Sequence, residues 1–444
     1  MPAPSAPARK PRLLWASVYC LLDTSSGASM AVREMLLQLV GQGYEVHILG
    51  ASVFDHERGT AGLRGQWPTV QARRGRLVTL GDGTLEHKLL VTAGTSRGAM
   101  TCAEERTWFF LYREALDLHR PDVVFYYGGQ PLDFLIAAEA RARGIPVAFY
   151  LANGTYSQTR WCRDVDLVLT DSQATVNLYQ HRLGVTAVAV GAFIDPARVV
   201  APQREPRRIL FVNPSLEKGV VVVVRLALLL ERRRPDIVFE VVESRGSWGK
   251  LLQALSAAMG EPREALENVI VTAHTADMRP VYGRARLLLA PSLWWESSGR
   301  VLVEAMLNGI PAIVTDCGGM PEMVQDGGIL LKLDDRFHEK PYSRCPPDDA
   351  LEPLLRRIEA LYDDEAGYAR LAAAARRVGQ THHRDASTRR LLQALTPLVA
   401  RQAGDLDAGA ALRQLHRHAL DDRALPPAAP QALAATPPQD DDSP

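Results

Sequence analysis

Apolar blocks at strand and helix spacing alternate along most of the chain. The segment Leu13 to Tyr19 is a continuous apolar run of strand length, and a Ser/Gly loop separates it from a helical pattern that Gly43 ends. Residues 44–50 then predict a second strand. A strand, a helix and a strand in this order form a βαβ unit, which implies a parallel sheet.

The same alternation continues after a less regular stretch at 55–100 and starts again after a polar, proline-containing segment at 195–206. The first series predicts strands at 121–127, 145–151 and 165–172 and helices at 104–119, 132–144 and 173–183. The second series predicts strands at 207–213, 237–244, 268–274, 284–292 and 310–316. It predicts helices from 219 to about 234, at 300–309, at 349–363 and within 365–400.

Two such series predict an α/β protein with two Rossmann-like, doubly wound parallel-sheet domains, at 12–195 and 205–380. Ligands of such folds bind at the carboxyl ends of the strands, so we expect the active site in a cleft between the domains. The leader at 1–11 and the Pro/Ala-rich tail at 424–444 contain too little apolar surface to fold and are expected to be disordered.

Composition excludes several functional classes. The 444 residues carry a formal net charge of zero, which argues against a nucleic-acid partner and limits membrane contact to a peripheral one at most. No apolar run approaches the ~20 residues that span a bilayer, and the amino terminus lacks the apolar core of a secretory signal. The five cysteines are widely spaced without a CxxC pair, so we expect a reduced, cytoplasmic protein.

The segment with the clearest chemistry is ESSGRVLVE, from Glu296 to Glu304. It joins a predicted strand to a predicted helix, and Ser297, Ser298 and Gly299 allow a tight turn whose free N–H groups can hold a phosphate. Glu296 on the loop is placed to reach a sugar ring, and Glu304 to accept hydrogen bonds from ribose hydroxyls. A capping carboxylate and a glutamate paired for structure explain the same spacing, so both interpretations stay open on these residues alone.

The longer stretch from Pro291 to Leu331 resembles the signature of the retaining GT-B glycosyltransferases of family 4. The E-x7-E motif matches at Glu296 and Glu304, and Gly318-Gly319 and Pro321-Glu322 match downstream. The family often has Phe-Gly at Ser298-Gly299, a departure expected to change packing under the phosphate more than phosphate binding.

This resemblance implies a GT-B fold and transfer of a sugar from a UDP- or GDP-linked donor with retention of configuration. It implies that Glu304 binds the ribose, that Glu296 lies near the donor sugar and that the turn of Ser298 and the amides of Gly299 to Val301 bind the distal phosphate. The second domain then binds the nucleotide sugar, and the first binds a small-molecule or glycan acceptor. No cofactor and no obligatory metal are implied. In GT-B folds a terminal helix crosses back onto the first domain, which makes 381–400 the candidate here.

A cation is expected at the loop Asn213 to Gly219. Lys218 at the mouth of a βα loop can neutralise the departing diphosphate, and it matches the lysine that the family carries there. Asn213 stands at the family's arginine position, so one expected cation is missing from this part of the donor site. Arg300 or Arg245 is the candidate replacement.

Two loops of the first domain complete the predicted site. The small, polar loop that contains Ser26 and Gly27 lies between a strand and a helix, where a backbone can approach a phosphate or sugar. It resembles the family's glycine loop with one glycine of the usual pair. Ala152, or Asn153 in a shifted alignment, stands where many members have a histidine, so Asn153 is the remaining candidate for contact with the sugar or diphosphate.

These departures keep alternatives open. A non-catalytic sugar-nucleotide sensor or scaffold fits the missing histidine, the reduced glycine loop and Asn213. A GT-B sugar-nucleotide epimerase shares the fold but is expected to present more carboxylates and histidines in the first domain. A phosphorylase needs a pyridoxal-binding lysine site, which we do not identify in the sequence.

Overall fold

The computed structural model describes residues 9–63 and 65–402. The predicted tail at 424–444 and most of the leader at 1–11 lie outside these residues. Two sheets form the two halves of the described chain, one of eight strands and one of six.

The fourteen strands of the described residues are mostly short and buried. They are β1 Arg12–Ala16, β2 Glu45–Ala51, β3 Leu77–Asp82, β4 Leu85–Leu90, β5 Val123–Tyr126, β6 Val147–Leu151, β7 Leu167–Thr170, β8 Val188–Ala189, β9 Arg208–Val212, β10 Val238–Val242, β11 Val269–Thr272, β12 Ala285–Ala290, β13 Ala312–Thr315 and β14 Gly328–Leu331.

The α-helices of the same residues cover both faces of the sheets. They are α1 Gly27–Gly41, α2 Trp67–Gln71, α3 Cys102–His119, α4 Pro131–Ala142, α5 Gln173–Leu183, α6 Pro196–Val199, α7 Val220–Arg233, α8 Trp248–Ala258, α9 Arg279–Arg284, α10 Arg300–Leu307, α11 Met320–Val324, α12 Asp348–Asp363, α13 Glu365–Thr381 and α14 Arg384–Gln402.

Both sheets have the strand order of a doubly wound fold. The first is ordered β3-β4-β2-β1-β5-β6-β7-β8, and the second β11-β10-β9-β12-β13-β14. Every pair of neighbouring strands is parallel except the β3–β4 hairpin. In each sheet the order reverses beside the first strand, β1 or β9, and this switch point opens a crevice at the carboxyl ends of the strands. The predicted fold class is therefore confirmed.

Tertiary packing, more than helix propensity, explains why the valine-rich start of α7 is helical. The residues Val220 to Val224 open α7 with five successive β-branched side chains, which lose rotamer freedom in a helix. All five are fully buried in the core of the second domain. Burial of each valine contributes about 1.5 kcal/mol or more, which exceeds its propensity cost of a few tenths of a kcal/mol.

The terminal helix α14 lies on the first domain. Leu391, Leu395 and Leu398 occur at helical spacing and pack in the same buried cluster as Leu13 and Trp15 of β1. The chain thus leaves the first domain through α6, builds the second and returns.

Two regions differ from the sequence patterns. The stretch at 55–100, which shows no regular pattern, contains the β3–β4 hairpin and the short helix α2. The helical pattern at 365–400 is two helices, because α13 ends at Thr381 and α14 begins at Arg384.

The helices of the described residues are either too short or too polar to cross a membrane.

Candidate active site

A turn that requires glycine at position 219 brings Lys218 to the cleft. Gly219, the residue before α7, has a φ of 75°, and a Cβ there would lie 1.9 Å from the carbonyl oxygen of Pro291. The N–H of Leu293 donates to the carbonyl of Glu217 at 2.9 Å. The loop after β9 is therefore fixed to the loop after β12, and Lys218 faces that second loop.

Glu296 is the partner that Lys218 meets there. The Lys218 ammonium is in ion-pair contact with Oε1 of Glu296. Nε1 of Trp294 and Oγ of Ser292 donate to the same oxygen at 2.6 and 3.1 Å. Burial alone would raise the pKa of Glu296, but Lys218 and these hydrogen bonds outweigh it and hold the pKa below its usual range. The carboxylate is ionised at neutral pH.

The start of α10 lies beside this pair. Gly299 precedes the helix with a φ of 73°, a conformation that favours glycine. Ser297 and Ser298 are buried, whereas Gly299, Arg300 and Val301 are partly exposed. Among the described residues, no oxygen accepts a hydrogen bond from the backbone N–H groups of these last three residues. Three amides at a helix start form a site for an anionic oxygen.

Glu304, one turn into α10, has partners for both of its oxygens. The Tyr282 hydroxyl donates to Oε2 at 2.6 Å, and Nε of Arg300 lies 2.6 Å from Oε1. These contacts agree with the interpretation that Glu304 is a carboxylate paired for structure. Each carboxylate oxygen keeps a second lone pair, so the binding of a ribose hydroxyl is compatible with them and stays a prediction.

Arg300, Arg245 and Asn213, the other candidates for binding the diphosphate, already have partners in the protein. Nη1 of Arg300 donates to the carbonyl of Phe193 at 3.1 Å, in addition to the ion pair described above. Asn213 has a φ of 63°, and its Oδ1 accepts from the N–H of Arg245 at 3.0 Å. The Arg245 side chain lies 4.0 Å from the carboxylate of Asp55 across the cleft. Contacts of Arg300, Arg245 and Asn213 with a diphosphate stay predictions.

The loop before α1 is organised by a buried carboxylate. Asp23 accepts from the N–H of Ser25 and from that of Asp55, both at 2.7 Å. Ser26 caps α1, and its side chain accepts from the N–H of Ser29. A Cβ at Gly27, the first residue of α1, would meet nothing within 4 Å. The structure therefore places Ser26 and Gly27 at a helix start with open space at the glycine.

Asn153 lies where the loops of both domains meet. Its Oδ1 accepts from the N–H of Thr155 at 3.0 Å, and its carbonyl accepts from the Tyr179 hydroxyl at 2.9 Å. Gly154, the residue after Asn153, packs against the indole of Trp295 from the second domain. A Cβ at Gly154 would lie 2.4 Å from that indole. The side-chain NH₂ of Asn153 is therefore the group that could donate a hydrogen bond to a ligand.

A cavity of about 530 Å³ opens at another part of the domain interface. Its walls include Arg58, Thr60, Trp67, Glu243, Ala273 and His274. Arg58 donates to the carbonyl of Ser244 at 2.9 Å, and the hydroxyl of Thr24 lies 3.3 Å from Nε2 of His274. The first contact holds the loop after β2 against the loop after β10, and the second holds the loop after β1 against the loop after β11. Within residues 9–63 and 65–402, no group of three or more His, Cys, Asp or Glu side chains is placed to hold a metal ion.

Part of the chain that lines the cleft matches a known protein family. Residues 206–364 match the family described as glycosyl transferases group 1. This matched stretch, about a third of the chain, is similar to a group 1 glycosyl transferase domain. The matched stretch contains Lys218, Glu296 and Glu304, so the resemblance inferred from the sequence is confirmed for this part of the chain.

One curated relative covers part of the chain. The D-inositol 3-phosphate glycosyltransferase of Paenarthrobacter aurescens is 31% identical over 179 residues, which make up 35% of this chain and 39% of that protein. The match therefore spans about two fifths of the relative's length.

Solved structures match the whole fold at low identity. An Anabaena protein in complex with UDP and glucose has a TM-score of 0.59 at 16% identity, over 87% of this chain and all of the other. The pneumococcal O-GlcNAc transferase in complex with UDP and GlcNAc has a TM-score of 0.63 at 11% identity, over 88% of this chain and all of the other. The fold around the group 1 domain is GT-B, as the resemblance implied.

Sequence reasoning gave no role to several residues that shape this site. Trp294 and Ser292 bind the oxygen that Lys218 contacts, and Asp23 organises the first loop. The adjacent tryptophans at 294 and 295, just before the motif, were a usable signal, because an indole N–H that is buried usually finds a hydrogen-bond acceptor.

Proposed function

We propose that this protein is a glycosyltransferase that moves a sugar from a nucleotide sugar to an acceptor. The observation that carries the proposal is the ion pair of Lys218 and Glu296 beside the three unpaired amides of Gly299 to Val301. A cation and a helix start at one edge of a parallel sheet suit a diphosphate, and a fixed carboxylate next to them suits a sugar ring.

The proposed reaction breaks the bond between the anomeric carbon and the diphosphate oxygen. The electron pair goes to the diphosphate, where Lys218 and the amides of α10 stabilise the growing charge. The acceptor oxygen forms the new bond to the anomeric carbon, and the departing phosphate takes its proton, since Ala152 and Asn153 stand where the family has a histidine. Three donors converge on Oε1 of Glu296, so Oε2 is the oxygen proposed to orient the sugar.

The donor is proposed to be a UDP-linked sugar, with a GDP-linked sugar as the alternative. Two proteins of the same fold carry UDP in their described complexes, which supports the first choice. Retention of configuration and independence from a metal follow from the family resemblance and stay part of the proposal, as does acceptor binding by the first domain.

A melting-temperature screen with UDP-, GDP- and ADP-sugars tests this function. A ligand at 100 times its Kd stabilises the folded state by about 2.7 kcal/mol, which raises the melting temperature by several degrees. The stabilising nucleotide sugar is then incubated with small-molecule and glycan extracts, and glycosylated products are sought by mass spectrometry. Stabilisation without transfer or hydrolysis in any extract would support the sensor or scaffold instead.

Replacing Glu304 with Gln is expected to weaken donor binding by about tenfold, because a charge-assisted hydrogen bond to the ribose contributes about 1.5 kcal/mol more than a neutral one. Calorimetric titration with UDP measures the effect. Tyr282→Phe is the matched control, since it removes the hydroxyl that binds Glu304 and leaves the carboxylate in place. Equal affinity for UDP in Glu304→Gln and the parent would contradict the ribose role.

A further inference from the structure

The turn before α10 is fastened to the first domain behind the proposed donor site. The Ser298 hydroxyl donates to Oδ2 of Asp171 at 3.0 Å, and the hydroxyls of Ser297 and Thr175 lie 3.0 Å apart. Close by, the Glu322 carboxylate accepts from the backbone N–H groups of residues 173 and 174, at the start of α5. The end of β7 and the start of α5 thus bind the segment that supplies the three amides of α10.

Asp171 is the charged member of this contact. It directly follows β7, and its Oδ1 accepts from the Tyr150 hydroxyl of β6 at 2.5 Å. Arg300, at the start of α10, is the charged group that faces it from the second domain. One carboxylate therefore accepts from a hydroxyl of each domain, and both of its oxygens are used.

A neutral side chain could also form hydrogen bonds at the position of Asp171, so the ionised carboxylate there needs a reason beyond structure. Burial raises the pKa of Asp171 to about 6, although Tyr150, Ser298 and Arg300 favour the ionised form. Because this pKa lies above that of an unfolded chain, the folded state binds more protons between about pH 4 and 6. The stability contributed by the protonated form is lost as the pH rises through that range. At neutral pH the protein keeps an ionised side chain that lowers its stability, and such costs are typical of functional residues.

We propose that Asp171 is a positioning residue that holds the phosphate-binding amides of α10 in place across the domain interface. The inference rests on the proposed function. Ser298 stands where the family often has phenylalanine, so in this chain a hydrogen bond to the first domain replaces an apolar contact under the phosphate. The ionised carboxylate accepts from both Tyr150 and Ser298, whereas in the protonated form one oxygen becomes an O–H donor and a weaker acceptor for the hydroxyl that faces it.

The test compares Asp171→Asn, Ser298→Ala and the control Asp122→Asn. Asp122 is also a buried carboxylate of the first domain, but it accepts from Arg9 and from the N–H of Arg12 at the opposite end of the sheet. Hydrogen–deuterium exchange of the peptides that cover Leu302 to Met306 reports on α10 without any ligand. We expect exchange to be about tenfold faster in the first two variants, since a lost hydrogen bond of about 1.4 kcal/mol is a factor of 10. Exchange at α10 should be unchanged in Asp122→Asn.

Turnover and melting temperature separate positioning from simple stability. Asp171→Asn should raise the melting temperature at pH 8, lower kcat by about tenfold and change the donor Kd much less, because the amides act most strongly on the departing diphosphate. The kcat of the parent should fall between pH 7 and 5, and that fall should be absent in Asp171→Asn. A lower melting temperature at pH 8 with unchanged exchange at α10 would overturn the proposal. If the parent transfers no sugar from any donor, the proposed function fails, and the exchange experiment still decides whether Asp171 positions the turn.

Discussion

Replacing Lys218 with Met is expected to lower kcat by about 10²–10³-fold, the loss seen when one stabilising group is removed from a developing anion. Lys218 is the cation in direct contact with Glu296, and the other candidate, Arg300, is paired with Glu304 and bound to the carbonyl of Phe193. Initial rates with the stabilising donor measure the effect. Lys250→Met, which alters an exposed lysine of the same domain, is the matched control.

The same variant should also lose stability in a pH-dependent way. In the parent, the lowered pKa of Glu296 contributes stability that is present above the unfolded pKa and lost as the pH falls through the folded pKa. Without Lys218, burial raises that pKa, so ionised Glu296 lowers stability as the pH rises. We expect urea denaturation at pH 8 to show a loss of about 2 kcal/mol, less than for a fully buried pair because Lys218 is partly exposed.

A second substitution separates the cost of an unpaired Glu296 carboxylate from the role of Lys218 in turnover. Lys218→Met with Glu296→Gln removes the unpaired carboxylate, so most of the stability at pH 8 should return while turnover stays low. If the double variant recovers turnover as well, Lys218 acts by neutralising Glu296 and not by stabilising the diphosphate. If neither variant loses turnover, the pair does not belong to the active site.

Most of the elements can be predicted from the sequence because each has a local cause. The helix at 173–183 begins after Ser172, whose side chain caps it, and ends before Gly184 in the left-handed conformation, so both bounds follow from residue types. The pattern at 55–100 does not predict the β3–β4 hairpin, although Gly83, the first residue of its two-residue turn, is typical of that position. The irregular composition around it concealed that signal.

The site is harder to predict because it depends on contacts between distant residues. Lys218 and Glu296 are each visible in a motif, but their ion pair exists because β9 and β12 are neighbours in the sheet. The contact of Asp171 with Ser298 depends on how two domains meet, which neither strand pattern contains. A family resemblance assigns residues to a ligand, and only the packing tells which of them already have partners. Arg300 and Glu304 are the clearest cases.

Gly219→Ala is expected to destabilise the protein by about 3 kcal/mol or more and to lower turnover with it. An alanine costs about 1–2 kcal/mol in the left-handed conformation that Gly219 adopts at a φ of 75°. Its Cβ would also lie 1.9 Å from the carbonyl oxygen of Pro291, so the loop after β9 must move away from the loop after β12. Lys218 precedes this glycine, and a shift of that loop withdraws the ammonium from Glu296.

Gly75→Ala provides the matched control for backbone strain. Gly75 has a φ of 72°, and a Cβ there would meet nothing within 4 Å. Its loss of stability should therefore stay at about 1–2 kcal/mol with turnover unchanged, because only the conformational cost applies. Urea denaturation and initial rates of both variants at pH 7 measure the difference between them. Equal losses in the two variants would mean that the contact with Pro291 does not fix the loop, and that some other interaction holds Lys218 in the cleft.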